Sequence, residues 1–191
     1  GTTNVVEQLG GGDIALTAGG DVSFVSLHAD KGSVEVNAGG SIGNAETDSG
    51  VFLLLADSQA NISARGDVYV QGVGNATSQP LSERQNSNVQ SINTSLGLMA
   101  FSTLTPESAL AVSSLGGDVL LRNTLSDTFE GSRVLGSSNP VVAPDTYPGS
   151  LSVLAMDGDI ALSGFAMLPA AQGQLSLLAQ NNIMSFYAGL D

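Results

Sequence analysis

The sequence predicts an all-β solenoid, in which short coils stack on one another, and three observations carry that prediction. The first is a repeat. Gly12-Asp13-Ile14-Ala15-Leu16 leads into Ala18-Gly19-Gly20, and 20 positions on Gly32-Ser33-Val34-Glu35-Val36 leads into Ala38-Gly39-Gly40. Apolar residues at alternate positions over so short a run describe a strand with one buried face, and a fixed period near 20 describes coils that bury that face only by stacking. The second is recurrence along the chain, as Gly66-Asp67-Val68, Gly117-Asp118-Val119 and Gly158-Asp159-Ile160. The third is composition: Gly 24, Pro 6 and aromatics at 5% favour tight turns around slim residues, as a narrow interior requires.

Taken in order, Val5 and Val6 begin a strand, and residues 10–74 carry the cleanest coils. Val51-Phe52-Leu53-Leu54-Leu55 is almost unbroken apolar, so it reads as a strand covered on both faces. Residues 75–102 lapse into Ser, Asn and Gln and form a first insertion, within which residues 96–101 are apolar and fold back over the flank or one end of the coils. Residues 107–112 have room for one helical turn, although Ala109-Leu110-Ala111-Val112 also reads as a resumed coil. A second insertion, 123–150, holds Pro140, Pro144 and Pro148, which central strands exclude. Leu151-Ser152-Val153-Leu154-Ala155 then recurs 24 residues later as Leu175-Ser176-Leu177-Leu178-Ala179, each copy followed by a polar turn and an isoleucine. The expectation is one domain over 1–191 with two loop insertions, about 75–102 and 123–150. Roughly eight coils rising about 4.8 Å each give a rod on the order of 40 Å, with Ile14, Val34, Val68, Val119, Ile160 and Ile183 pointing inward.

Charge narrows the partners. With 18 acidic and 5 basic residues the formal net charge is −13, and Lys31, Arg65, Arg84, Arg122 and Arg133 form no stripe. Neither nucleic acid nor an anionic membrane is an expected partner. No cysteine is present, which excludes disulfides, thiol nucleophiles and thiolate metal sites. Residues 160–190 carry no charge but are interrupted by Pro169 and several Gln and Asn, so they do not read as a membrane span. The chain opens at Gly1 and stops at Asp191 without a terminal cap, which reads as a piece of a longer protein.

The series from Gly11 to Val22, Gly-Gly-Asp-Ile-x-Leu-x-Ala-Gly-Gly-Asp-Val, resembles the repeats of filamentous haemagglutinin-like proteins, the large exoproteins of bacterial two-partner secretion. The run from Tyr147-Pro148-Gly149 through Gly158-Asp159-Ile160 to Leu175-Ser176-Leu177-Leu178-Ala179 is similar to a segment toward the C-terminal part of many of them. The resemblance implies a right-handed parallel β-helix, export through an outer-membrane partner, and a place on the bacterial cell surface or in the medium. It also implies the role of an adhesin, or of the stalk of a contact-dependent toxin, meeting a receptor or glycan on a host or neighbouring cell. The family's Asn-Pro-Asn-Leu-like secretion motif is not matched by Asn139-Pro140-Val141-Val142, and no toxin domain is visible.

Parallel β-helices also make polysaccharide lyases and hydrolases, so a carbohydrate-active enzyme is the rival reading, and it needs a cleft lined by aligned Asp and Arg. The candidate carboxylates are Asp157 and Asp159 about Gly158, with Asp13, Asp67 and Asp118 if the coils align them. All but Asp157 stand directly before a strand, where the side chain serves the turn backbone. His28 could pair with Asp30 as a base, but without a nucleophile elbow it reads as an ordinary surface residue on a turn. The glycine clusters lack the Lys-Ser/Thr and helix of a phosphate loop, and the calcium-binding nonapeptide is absent. No catalytic residue, cofactor or metal is assigned, and the expectation is a non-enzyme. Asn61-Ile62-Ser63, Asn75-Ala76-Thr77 and Asn93-Thr94-Ser95 are glycosylation sequons.

Overall fold

The computed structural model describes residues 4–8, 11–75, 103–122, 146–163 and 166–185. Among them there is no helix. The strands are β1 (Asn4–Gln8), β2 (Ile14–Ala18), β3 (Val25–Ala38), β4 (Val51–Ala64), β5 (Val68–Asn75), β6 (Ala109–Ser114) and β7 (Val119–Leu121). They continue with β8 (Thr146–Tyr147), β9 (Ser150–Ala155), β10 (Ile160–Leu162), β11 (Ala166–Met167), β12 (Gln174–Ala179) and β13 (Ile183–Ser185). Eleven of them share one sheet and β8 pairs with β11 in a second. Every pairing between strands is parallel.

Register gives the sheet its organisation. One column of Cα partners runs Ile14, Val34, Ala60, Leu110, Leu151, Leu175. A second runs Val22, Ile42, Val68, Val119, Ile160, Ile183. A third begins with β1 against β3 at Asn4↔Val25 and continues through Val51. Gly66-Asp67, Gly117-Asp118 and Gly158-Asp159 thus fall at the same place in successive layers, before the second column, while Gly12-Asp13 stands before the first, an arrangement compatible with a β-helix or solenoid. Six layers are described, fewer than roughly eight, because the steps along the chain are unequal: 20, 26, 51, 41 and 23 residues between bonded turn positions. The two long steps contain the stretches read as insertions. Residues 76–102 and 123–145 lie outside the described residues, and so do the readings placed on 96–101 and on the prolines at 140 and 144. β8 and the first residue of β9 fall within 123–150.

Alternation puts one face of each strand in the core. β6 and β9 show it plainly, with Leu110, Val112, Leu151 and Val153 at 1–2% exposure between half-exposed or exposed neighbours. The third residue of that face is small in every layer, Ala18, Ala38, Ala64, Ser114, Ala155 and Ala179. It sits where the chain turns toward Val22 and its stack, and a larger side chain there would crowd the corner. Ile14, Val34, Val68, Val119 and Ile160 are buried, as the pattern predicts. Ile183 is not: it holds the inward register above Ile160 but is 51% exposed, since no described layer lies over it.

Three local readings are settled by burial. Leu53, Leu54 and Leu55 are all fully buried, so the apolar run of β4 is covered on both faces, with Leu54 and Ala56 forming a cluster apart from the main core. Residues 107–112 are a turn followed by β6, not a helical turn, because the alternation of Ala109 to Val112 matches the pleat of the strands beside it. His28 lies within β3 and is 4% exposed, so it is neither on a turn nor a surface residue. The strand continues through it to Ala38, and the His28 position pairs with Glu7 and Leu54.

Candidate functional site

The aspartates of the Gly-Asp phrase do align, but the alignment is consumed by backbone. Asp21 Oδ1 accepts from Ser41 N, and Ser41 Oγ accepts from Asp67 N. Asp67 Oδ1 accepts from Asp118 N, Asp118 Oδ1 from Asp159 N, and Asp159 Oδ1 from both the amide and the carboxamide of Asn182, at 2.7–3.0 Å. Each side chain therefore satisfies an amide at the turn of the next layer. The residue directly before each strand is where an amide faces along the stack, so an acceptor is needed there in every layer. Asp13 does the same at another corner, accepting from Ser33 N at 2.9 Å and Ser33 Oγ at 2.6 Å. Asp157 is exposed and outside this ladder. The carboxylates sit one behind another along a turn, each on its own amide, and do not converge on a point in space where a substrate would lie.

Hydrogen bonding to the ionised form has a titration signature at Asp13. The Ser33 hydroxyl first, and the Ser33 amide second, lower its pKa below 3.8. A folded pKa below the unfolded one means stability present above the unfolded value and lost as pH falls through the folded value. The expected result is an Asp13 carboxyl midpoint below 3.8 by NMR titration, moved upward in Ser33→Ala; an unmoved midpoint would show the hydroxyl contributes nothing.

One Asp does meet an Arg. Tyr69, 2% exposed on β5, donates its hydroxyl to Asp48 Oδ1 at 2.6 Å, Gln71 Nε2 donates to Asp48 Oδ2 at 3.1 Å, and Arg122 Nη1 lies 4.0 Å from Asp48 Oδ1. Burial first, and the Asp48 hydrogen bond second, push the Tyr69 hydroxyl up to about 12. A phenol held protonated in this way is a poor base. The ring lies against Gly50, where any Cβ would come 2.7 Å from Tyr69 Cδ1. With Asn44 accepting from the amides of Glu46 and Thr47, the group fastens the 43–50 turn to the sheet. It is a structural clasp.

A concave surface lies elsewhere, on the outer face of β3, β4, β6, β9 and β12. There Ala109 and Ala111 put only methyl groups where β4 carries Gln59 and Asn61, and the floor drops into a shallow trough of about 560 Å³. Ser150 and Ser152 continue the floor, Gln174 and Ser176 close the far side, and Glu35 is the single carboxylate on the lining. The wall is made of amides and hydroxyls with donors and acceptors in both senses, suited to a neutral hydrogen-bonding ligand. No aromatic platform and no pair of carboxylates stands in it, and among the described residues no group of three His or acidic side chains could hold a metal ion. The small residues of β6 and β9 are legible in the sequence, but their consequence depends on which strand lies beside them.

Of the three sequons, Asn61 is exposed at this trough, whereas Asn75 is 3% exposed and donates to the Leu55 carbonyl at 2.8 Å. Asn93 lies outside the described residues. A glycan on Asn75 would have to displace that bond and the contacts of Asn75 with Thr103 that join the two ends of the first long step.

Among the described residues no helix is long and apolar enough to cross a membrane. Compared with protein-family models, with curated proteins and with solved structures, the chain matches none.

Proposed function

We propose that the chain is a right-handed parallel β-helix forming a shaft and binding segment of a secreted, surface-associated bacterial exoprotein, an adhesin or the stalk of a contact-dependent effector, and that it is not an enzyme. The observation that supports this reading best is the register. Phrases separated by as many as 51 residues meet as neighbours on the same turn, which is how a rod built layer on layer is specified. The likeness of those phrases to filamentous haemagglutinin-like repeats supplies the biological setting, with an outer-membrane partner for export and a cell-surface receptor or glycan as target.

A shaft needs a contact surface to be more than a spacer, and the trough on the outer sheet face, with Glu35 as its one charged side chain, is that surface in this proposal. Its amide and hydroxyl lining is the chemistry expected for a neutral glycan or an extended backbone. A carbohydrate-active enzyme would instead need two carboxylates facing one another across the ligand. Asp21, Asp67, Asp118 and Asp159 are instead engaged along the turn.

The test is attachment of the purified chain to target cells or arrayed glycans. Ala111→Arg fills the trough floor and, being a half-exposed substitution, shifts stability by about 0.5 kcal/mol or less. Attachment falling at least tenfold at unchanged melting temperature places the contact in the trough. Replacing residues 79–88 with a Gly-Ser linker is the parallel variant: loss there and not in Ala111→Arg moves the contact to the first long step. Attachment by neither variant impaired leaves the segment a spacer, and release of reducing sugar from a polysaccharide would overturn the non-enzymatic reading.

A further inference from the structure

The polar side chains of the outer sheet face fall into two groups. Just outside the trough, Ser63 Oγ donates to Asn37 Oδ1, and Asn37 Nδ2 donates to Glu35 Oε1 at 2.8 Å, so these groups are engaged with one another. Inside it, among the described residues, the side chains of Asn61, Ser150, Ser152, Gln174 and Ser176 bond neither backbone nor each other. Gln59 uses only its Nε2, on the Glu107 carbonyl at 3.3 Å, and keeps its carbonyl oxygen open. Open donors and acceptors of both senses around one hollow match a ligand that carries hydroxyl or amide groups.

The backbone of the trough floor is closed to that ligand. β4, β6 and β9 each have a parallel strand on both sides along this face, so their N–H and C=O groups are used within the sheet. An extended peptide that binds through its main chain adds to a free strand edge, and the floor has none. The ligand therefore meets side chains alone, as the ring hydroxyls of a sugar do. An apolar surface for the sugar's C–H face is also present. The methyl groups of Ala109 and Ala111 form the floor, and Leu154 stands two residues beyond Ser152 on the same outward face of β9. At the turns beyond, Leu115 and Met156 are 54% and 55% exposed. Both turns lie inside the stack, since the Met156 amide bonds the Ser114 carbonyl and the Gln180 amide bonds the Ala155 carbonyl one layer on.

Direction follows from the layers. Equivalent outward positions recur at one strand spacing, so the open groups form rows along the stack, and a chain laid across β3, β4, β6, β9 and β12 passes four spacings, about 19 Å. Glu35 is the one charge on the lining and the whole chain carries −13, so an anionic polymer is repelled where a neutral one is not. On the proposed reading of the trough as the contact surface, on which this rests, we infer that it holds a linear neutral glycan. The glycan lies along the stack, across the strands, with about one sugar unit to a layer, and Glu35 turns away anionic chains.

The probes are β-1,4-linked oligomers of glucose, xylose and N-acetylglucosamine, from dimer to hexamer, with galacturonate hexamer as the anionic counterpart, titrated into the purified chain by calorimetry. At least one neutral series is expected to bind, with affinity rising about tenfold from dimer to tetramer and levelling off near five units. Galacturonate is expected to bind about tenfold more weakly at low salt, and Glu35→Gln to narrow that ratio about threefold. Binding by none of the neutral series, tighter binding of galacturonate, or a plateau already at the dimer would overturn the assignment. Cell attachment that Ala111→Arg abolishes but periodate oxidation of the cells' glycans leaves intact would also overturn the glycan, while the trough stands as the contact surface. Attachment indifferent to Ala111→Arg would instead remove the contact surface itself.

Discussion

Val68→Asp is expected to cost at least about 4 kcal/mol and to unfold the layers on either side of it, seen as loss of the cooperative urea transition or of folded protein altogether. Val68 is 1% exposed and stands between Ile42 and Val119 in a column that passes through every described layer. A carboxylate there would be buried within the apolar core cluster. The neighbouring Asp67 is the control, because it points outward and its work is one hydrogen bond to the Asp118 amide. Asp67→Ser should cost about 1 kcal/mol or less. Similar stabilities for the two variants would mean that the Val68 side chain is not in the core.

Gly39→Ala is expected to destabilise by about 1–3 kcal/mol, while Gly19→Ala in the same Ala-Gly-Gly phrase stays within about 0.5 kcal/mol of the parent. A Cβ at Gly39 would come 2.3 Å from the Gly19 carbonyl oxygen and 2.9 Å from its carbon, backbone atoms that can yield only if the layers part. At Gly19 nothing lies within 4 Å. The two residues are indistinguishable in the repeat, so the difference between them measures the stacking directly. Thermal melts of both variants decide it, and equal shifts would contradict the layer contact.

That pair also marks how far the sequence can be read. The alternation of Leu110 and Val112, the Gly-Asp phrases and the 24-residue recurrence of Leu151 to Ala155 at Leu175 to Ala179 all follow from local spacing, and they locate strands and their inward faces. A Gly-Asp before a strand reads as a bend, whereas in the structure the glycine is where backbone passes over backbone and the aspartate bonds an amide in the layer beyond. The spacing of 51 and 41 residues between such partners hides the contact from any local pattern. The trough was hidden for the same reason, since Ala109 and Ala111 make a floor only because Gln59, Asn61, Gln174 and Ser176 rise on either side. His28 was misplaced because a polar residue between Leu27 and Ala29, followed by Asp30 and Lys31, has the composition of a turn, while the strand it belongs to runs on for ten residues beyond it.

The central claim is that successive coils stack in parallel register, and inter-residue distance along one column measures it most directly. Ala15, Glu35, Asn61, Ala111, Ser152 and Ser176 occupy equivalent outward positions in β2, β3, β4, β6, β9 and β12. Spin labels placed on cysteines at Ala15 and Ser152, and in a second protein at Ala15 and Ser176, are expected to give dipolar distances of about 19 Å and 24 Å, one strand spacing apart. Distances that do not increase with the number of intervening layers, or a Ser176 label nearer to Ala15 than the Ser152 label, would contradict the stacked register and the shaft built on it.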